Sequence, residues 1–188
     1  MSKTAFIIID IQNDYFEGGK FPLVGINEAA ENVATLLHRI RKAKDEYLII
    51  NIRHEFPGDP KDAPFFGRGT EGSQINDKVK NLPGEIVLTK NEPNSFIGTN
   101  LELILEEKKI SNLIVVGAMA HICVQGTVRA ASEKGYKVTV ISDAVATRDL
   151  TFGNITVPAK QVSAVVYATL AFAYSKLITT EEQIRLLK

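Results

Sequence analysis

Tryptophan is absent from this chain, and cysteine occurs once, at Cys123. A single unpaired cysteine excludes an internal disulfide framework and fits a reducing compartment, so the protein is expected to be cytoplasmic. No apolar stretch is long enough to span a bilayer, and Met1-Ser-Lys leads straight into a short apolar strand with no signal peptide. Charge of one sign is not in excess: Lys+Arg and Asp+Glu both total 22, for a formal net charge of zero. That balance points away from a nucleic-acid backbone or an anionic membrane as partner. No Gly-x-Gly-x-x-Gly follows the first strand, which argues against a dinucleotide-binding protein. Repeats, low-complexity tracts and linkers are also missing.

What is present is an ordinary globular composition, 45% hydrophobic and 23% charged over 188 residues, which favours one domain spanning 1–188. Short β-branched runs alternate with longer helical patterns. The runs are Ala5–Ile9, Tyr47–Ile52, Glu85–Leu88, Leu113–Val116, Lys137–Ile141 and Lys176–Ile178. Most are apolar on both faces, as parallel strands covered by helices are. Between them, Asn27–Lys44 carries an apolar stripe, Asn100–Lys108 reads as a short helix, and Cys123–Lys134 ends at Gly135, a good helix stop. Pro158 opens a last long helix. This alternation predicts an α/β fold: three αβα layers around a doubly wound, six-stranded parallel sheet, Rossmann-like in outline. Residues 53–84 break the rhythm and read as loop with one short helix near Gln74–Val79. A loop of that length is often a lid or pocket wall.

In open α/β sheets ligands bind beyond the carboxyl ends of the strands. Asp10 follows the first run, Lys90 the third and Cys123 the fourth. Taken singly, each has a plain explanation: a small buried thiol, a turn cap, a solvated charge. Together on one rim they form a workable hydrolytic set. The start of a helix favours an anion, so the Cys123 thiol is expected to lose its proton near neutral pH. A carboxylate can carry protons, an ammonium can hold both, and free N–H groups can bind an oxyanion.

Three blocks resemble the isochorismatase-like cysteine hydrolases: Ile8-Ile-Asp10-Ile-Gln-Asn-Asp14, Thr89-Lys90 through Thr99, and Gly117-Ala-Met-Ala-His121-Ile-Cys123 through Ala131. Asp143–Arg148 and the closing Ala-rich helix are similar as well. The resemblance covers nearly the whole chain and implies that family's fold. It also implies roles: Asp10 as general acid/base, Lys90 as its electrostatic partner and Cys123 as nucleophile. A cis peptide at Ala118–Met119 and an oxyanion hole from the N–H groups of Met119 and Cys123 follow from the same likeness. Nicotinamidases of the group hold a metal with an Asp-x-His pair and further histidines after the second strand. Here that segment is Asn51-Ile-Arg-His54-Glu55, and the only other histidines are His38 and His121. Too few ligands lie together for a three-ligand site, so no metal and no other cofactor is expected.

Members that cleave a vinyl ether generally lack the cysteine, so Cys123 favours a small amide-like substrate. The alternatives are vinyl-ether hydrolysis through Asp10, and a non-catalytic binding protein of the same fold. Phe16, His54, Phe96 and His121 are candidate substrate-pocket residues, with Phe65 and Phe66 as further wall aromatics. The competing readings are core packing for the aromatics, a surface position for His54 and a hydrogen-bonded helix entry for His121. Arg148 either binds a carboxylate or pairs with Asp149. The last helix is apolar over more of its circumference than one sheet face requires, so a homo-oligomer, dimer or larger, is expected.

Overall fold

A computed structural model describes residues 3–43 and 46–187. Met1, Ser2, Lys44, Asp45 and Lys188 lie outside the described residues, so the chain start and the last position of the expected helix Asn27–Lys44 are not covered.

The six expected runs form one sheet. Its strands are β1 (Lys3–Ile9), β2 (Tyr47–His54), β3 (Ile86–Lys90), β4 (Ile110–Ala118), β5 (Lys137–Ala146) and, after a small hairpin of β6 (Leu150–Phe152) and β7 (Ile155–Val157), β8 (Lys176–Ile178). They lie in the order β3-β2-β1-β4-β5-β8, every neighbouring pair parallel. β1 is central, and Ala5 through Ile9 are all buried, which explains why the run reads as continuously apolar rather than alternating.

Helices cover both faces. Phe6 and Ile8 point to one, where α1 (Ile26–Ile40) packs through Ala30, Val33, Leu36, Leu37 and Ile40, joined by α5 (Thr180–Leu186). Ala5, Ile7 and Ile9 point to the other, against Leu101 and Leu105 of α2 (Leu101–Glu107), Val128 and Ala131 of α3 (Gln125–Glu133), and Val166 and Leu170 of α4 (Ala159–Ala173). The result is the expected three-layer, doubly wound αβα fold. None of the helices among the described residues is long and apolar enough to cross a membrane.

Because β1 and β4 are neighbours while the chain winds outward from each in opposite directions, their carboxyl ends flank the switch-point crevice. Gly117 permits that closeness. It stands beside Ile9 with φ +123°, and a Cβ there would lie 2.0 Å from the Ile9 carbonyl oxygen.

Four local differences from the sequence reading matter. The strand β2 runs on to His54, so the loop begins two residues later than expected. Its short helix is a single 3-10 turn, Asp77–Val79, preceded by another at Glu71–Ser73. Cys123 is not in the first turn of α3 but inside a π-turn, Ala120–Val124, that precedes it. The β6–β7 hairpin and α5 are additional elements; the former is too short and exposed, and the latter too short, to leave a clear periodic signal.

Candidate active site

The three rim residues arrive from three strands. Asp10 is the first residue past β1, with φ +51° and its N–H donating to the Ile52 carbonyl of β2 at 3.0 Å. A left-handed backbone is uncommon outside glycine but is tolerated by Asp, and it turns the carboxylate back over the sheet end. Lys90 is the last residue of β3, and Cys123 lies in the π-turn after β4. The Ala118–Met119 bond at the entry to that turn is cis, as the family likeness implied. The turn's own hydrogen bonds converge on one carbonyl: Ile122 and Val124 both donate to Met119 O.

The side chains meet at one nitrogen. Lys90 Nζ is 2.8 Å from Asp10 Oδ2, 3.3 Å from Cys123 Sγ and 2.9 Å from His54 Nδ1. Lys90 and Asp10 are fully buried, and Cys123 is only 5% exposed. Burial alone would push the Lys90 ammonium down, but its electrostatic and hydrogen-bonding interactions with Asp10 and Cys123, the Asp10 carboxylate foremost, outweigh it and hold Lys90 above its usual value. The thiol is raised as well, but for an acid this favours the neutral form. Burial, reinforced by Asp10 and only partly offset by Lys90, pushes Cys123 up to about 12. The expected lowering by a helix start is therefore not what governs this cysteine. It rests as a thiol and needs a base to give up its proton. Asp10 Oδ1 has no hydrogen-bond partner among the described residues and is free to take one.

One donor atom from each of Asp10, His54 and Cys123 lies within 4.8 Å of the other two, a spacing that could hold a metal ion. The Lys90 ammonium, hydrogen-bonded or ion-paired to all three, already supplies a positive charge at that point. A divalent ion would face like-charge repulsion there, so the donor set does not suit a metal.

His54 is buried, not on the surface. It is the last residue of β2, held by two backbone hydrogen bonds to the Gln12 amide, both 2.8 Å. Burial and Lys90 bring its pKa down to about 4, so the ring is neutral at physiological pH.

The other candidate residues fall in different places. Phe16 is buried in the α1-side core. Phe96 stacks on Tyr136 at 6.2 Å with the Lys134 ammonium 5.6 Å from its ring. Phe65 and Phe66 join Tyr15, Phe21 and Phe56 in an aromatic cluster that reaches the His54 ring. His121 is half-buried with Nδ1 2.6 Å from Thr147 Oγ1, and burial plus the nearby Arg148 lower its pKa. Arg148 does not pair with the Asp149 carboxylate. Its guanidinium lies 4.1 Å from the Phe21 ring, while Asp149 Oδ1 accepts the Ala159 N–H at the start of α4.

Two residues escaped the functional reading although the Asp10 block contains them. Besides holding His54, Gln12 donates to Ser73 O at 2.8 Å. Asp14 is buried and accepts the N–H groups of Phe66 at 2.6 Å and Lys20 at 3.1 Å. Together they pin the 55–84 loop against the sheet end. A short polar run after a strand is equally what an ordinary surface loop presents, so the sequence held no signal that would have singled them out.

A buried thiol, carboxylate and ammonium thus come together at the switch point of a doubly wound αβα sheet, an arrangement chemically suited to hydrolysis. Comparison with known proteins gives the family. The Isochorismatase domain model matches residues 4–174, and the chain belongs to the isochorismatase family. It is 40% identical over 178 residues to an uncharacterised isochorismatase family protein, YddQ, of Bacillus subtilis, covering 95% of this chain and 97% of the relative. A crystal structure of a putative isochorismatase hydrolase from Oleispira antarctica superposes with a TM-score of 0.92 at 42% identity, covering 98% and 97% of the two chains. Over a shorter stretch of 76 residues, 40% of this chain and 29% of the relative, it is 41% identical to an N-carbamoylsarcosine amidase from Arthrobacter.

Proposed function

We propose that the protein hydrolyses a carbon–nitrogen bond of a small amide-like substrate, with Cys123 as nucleophile and Asp10 as the proton carrier. The observation that carries this reading is Lys90 Nζ, set between Asp10 Oδ2 at 2.8 Å and Cys123 Sγ at 3.3 Å, all three buried. The similarity to an amidase supports the substrate class. Cys123 rests protonated, so attack begins with transfer of the thiol proton to Asp10, while Lys90 stabilises the negative charge appearing on sulfur. Sγ bonds to the substrate carbonyl carbon, and the backbone N–H groups of Met119 and Cys123 receive the resulting oxyanion. Collapse breaks the C–N bond, and Asp10 returns its proton to the departing nitrogen. Asp10 then draws a proton from water, which attacks the thioester, releases the acid and restores the thiol. The pinned 55–84 loop and its aromatic cluster, with His54, Phe16, Phe96 and His121, supply the substrate surroundings.

The test is ammonia or amine release from a panel of small amides, N-carbamoyl amino acids among them. Cys123→Ala and Asp10→Asn are expected to lower the rate by at least about a hundredfold, and a trapped acyl group on Cys123 should appear by mass spectrometry. Full activity in either variant, or a Cys123→Ser variant that stays active on a vinyl ether, overturns the proposal.

The exposed apolar residues of α4 and the hairpin after Arg148, among them Phe152, Ile155, Val165 and Phe172, support self-association through that side. Light scattering that returns a monomer at micromolar concentration refutes it. A reduced, buried lone thiol suits the cytoplasm.

A further inference from the structure

An ammonium group has three protons, and Lys90 has three acceptors: Asp10 Oδ2, Cys123 Sγ and His54 Nδ1. The contact to the third has no part in the bond-making and proton transfers above. For Nδ1 to accept from Lys90 it must carry no hydrogen, so the neutral ring holds its proton on Nε2. Nε2 is buried and has no partner among the described residues. The ring is thus hydrogen-bonded on its Nδ1 side alone, and a buried N–H is left unpaired on the other. An unpaired buried donor is unfavourable by about 1–3 kcal/mol. A histidine that served only to fill space would not require that arrangement, since an apolar residue would fill it without the penalty.

We propose that His54 is a positioning residue for the Cys123–Asp10 pair: its Nδ1 takes the third proton of Lys90 and so fixes the ammonium between carboxylate and thiol. The inference rests on the catalytic reading of those three residues. With that acceptor in place, no ammonium proton is left to seek another partner, and the nitrogen keeps its contacts to both Asp10 and Cys123. Gln12, clamped to the backbone of His54 on both sides, holds the imidazole where Lys90 needs it. The charged or titratable groups around the ring are few. Lys90 comes from β3, Asp10 from the end of β1 and Cys123 from the π-turn, with Tyr15 near the latter two. On its own strand and just beyond, Arg53 and Glu55 pair with each other at 3.3 Å.

The consequence is read on the thiol and needs no substrate. Removing the acceptor weakens the charged form of Lys90 and loosens its hold, so the thiolate beside it becomes harder to form. Alkylation of Cys123 by iodoacetamide, followed from pH 7 to 10, should be about tenfold slower at each pH in His54→Leu, one pH unit of displacement. An asparagine places its oxygen near the position of Nδ1, whereas a glutamine reaches toward Nε2. His54→Asn should therefore restore the native profile and His54→Gln should not, each checked for an unchanged far-ultraviolet spectrum and cooperative melting. Nitrogen-15 spectra of the native protein should show a single Nε2–H tautomer for His54. A native profile in His54→Leu, equal behaviour of the Asn and Gln variants, or an Nδ1–H tautomer overturns the proposal. Failure of the native enzyme to hydrolyse amides would sink the proposed function while leaving these alkylation rates as they are, so the two failures are distinct.

Discussion

Lys90 and Asp10 make the strongest quantitative case. Their charges are 2.8 Å apart and both side chains are fully buried. At an effective dielectric of about 20, that separation corresponds to roughly 6 kcal/mol of attraction. Desolvation of the two groups consumes much of it, so the pair adds little net stability compared with an apolar replacement. Breaking it on one side is different. Lys90→Met leaves the fully buried Asp10 carboxylate without its cation, and the expected loss is about 3–5 kcal/mol. For a domain of this length, about 2.1 cal/mol/K per residue of unfolding entropy converts that loss to roughly 8–13 °C in Tm. Scanning calorimetry at pH 7 measures it directly. The double variant Lys90→Met/Asp10→Asn should recover more than half of the loss, because it removes the unpaired charge rather than the packing. A single variant that melts within about 2 °C of the native protein would refute the idea that this pair is buried and mutually dependent.

His54 supplies a pH prediction. Its folded pKa, about 4, lies below the ordinary value of 6.5, so in this range the unfolded chain binds more protons than the folded one. The contribution to stability is complete above pH 6.5 and is lost as pH falls toward 4, by up to about 3 kcal/mol. Urea midpoints measured from pH 7 to 4 should therefore decline, and His54→Asn should flatten the decline; an equal slope in both proteins counts against it. Gly117→Ala should be among the most damaging single changes, beyond about 4 kcal/mol, since the new Cβ meets the Ile9 backbone at 2.0 Å and φ is +123°. Soluble, native-like expression of that variant would contradict the close β1–β4 approach. Asp14→Ala leaves the N–H groups of Phe66 and Lys20 without their acceptor, and should cost about 1–3 kcal/mol and expose the 55–84 loop to limited proteolysis before the sheet unfolds.

The sheet was legible because β1 is buried on both faces. Ala5–Ile9 has no polar position to confuse its period, and the amphipathic stripe of α1 has only one apolar side to present. Strand ends then placed Asp10 and Lys90 on one rim without any coordinates. What the residue string could not carry is contact across long sequence separations. His54 lies 42 positions from Gln12 and 36 from Lys90, and as one histidine at the opening of an expected loop it was indistinguishable from a surface residue. The π-turn is equally silent, since Ala120–Val124 differs from an α-helical start only in one backbone register. That single difference bears on the chemistry. A cysteine read at the first turn of a helix is expected to ionise readily, whereas burial beside Asp10 raises the thiol to about 12. The local rule failed because the helix dipole contributes only about 0.3–1 kcal/mol at such positions, less than the effect of removing a thiolate from water next to a carboxylate. In the proposed mechanism, the same burial that keeps Cys123 a thiol at rest makes its deprotonation depend on Asp10. On that proposal, reactivity belongs to the Asp10–Lys90–Cys123 contact as a whole, not to the cysteine alone.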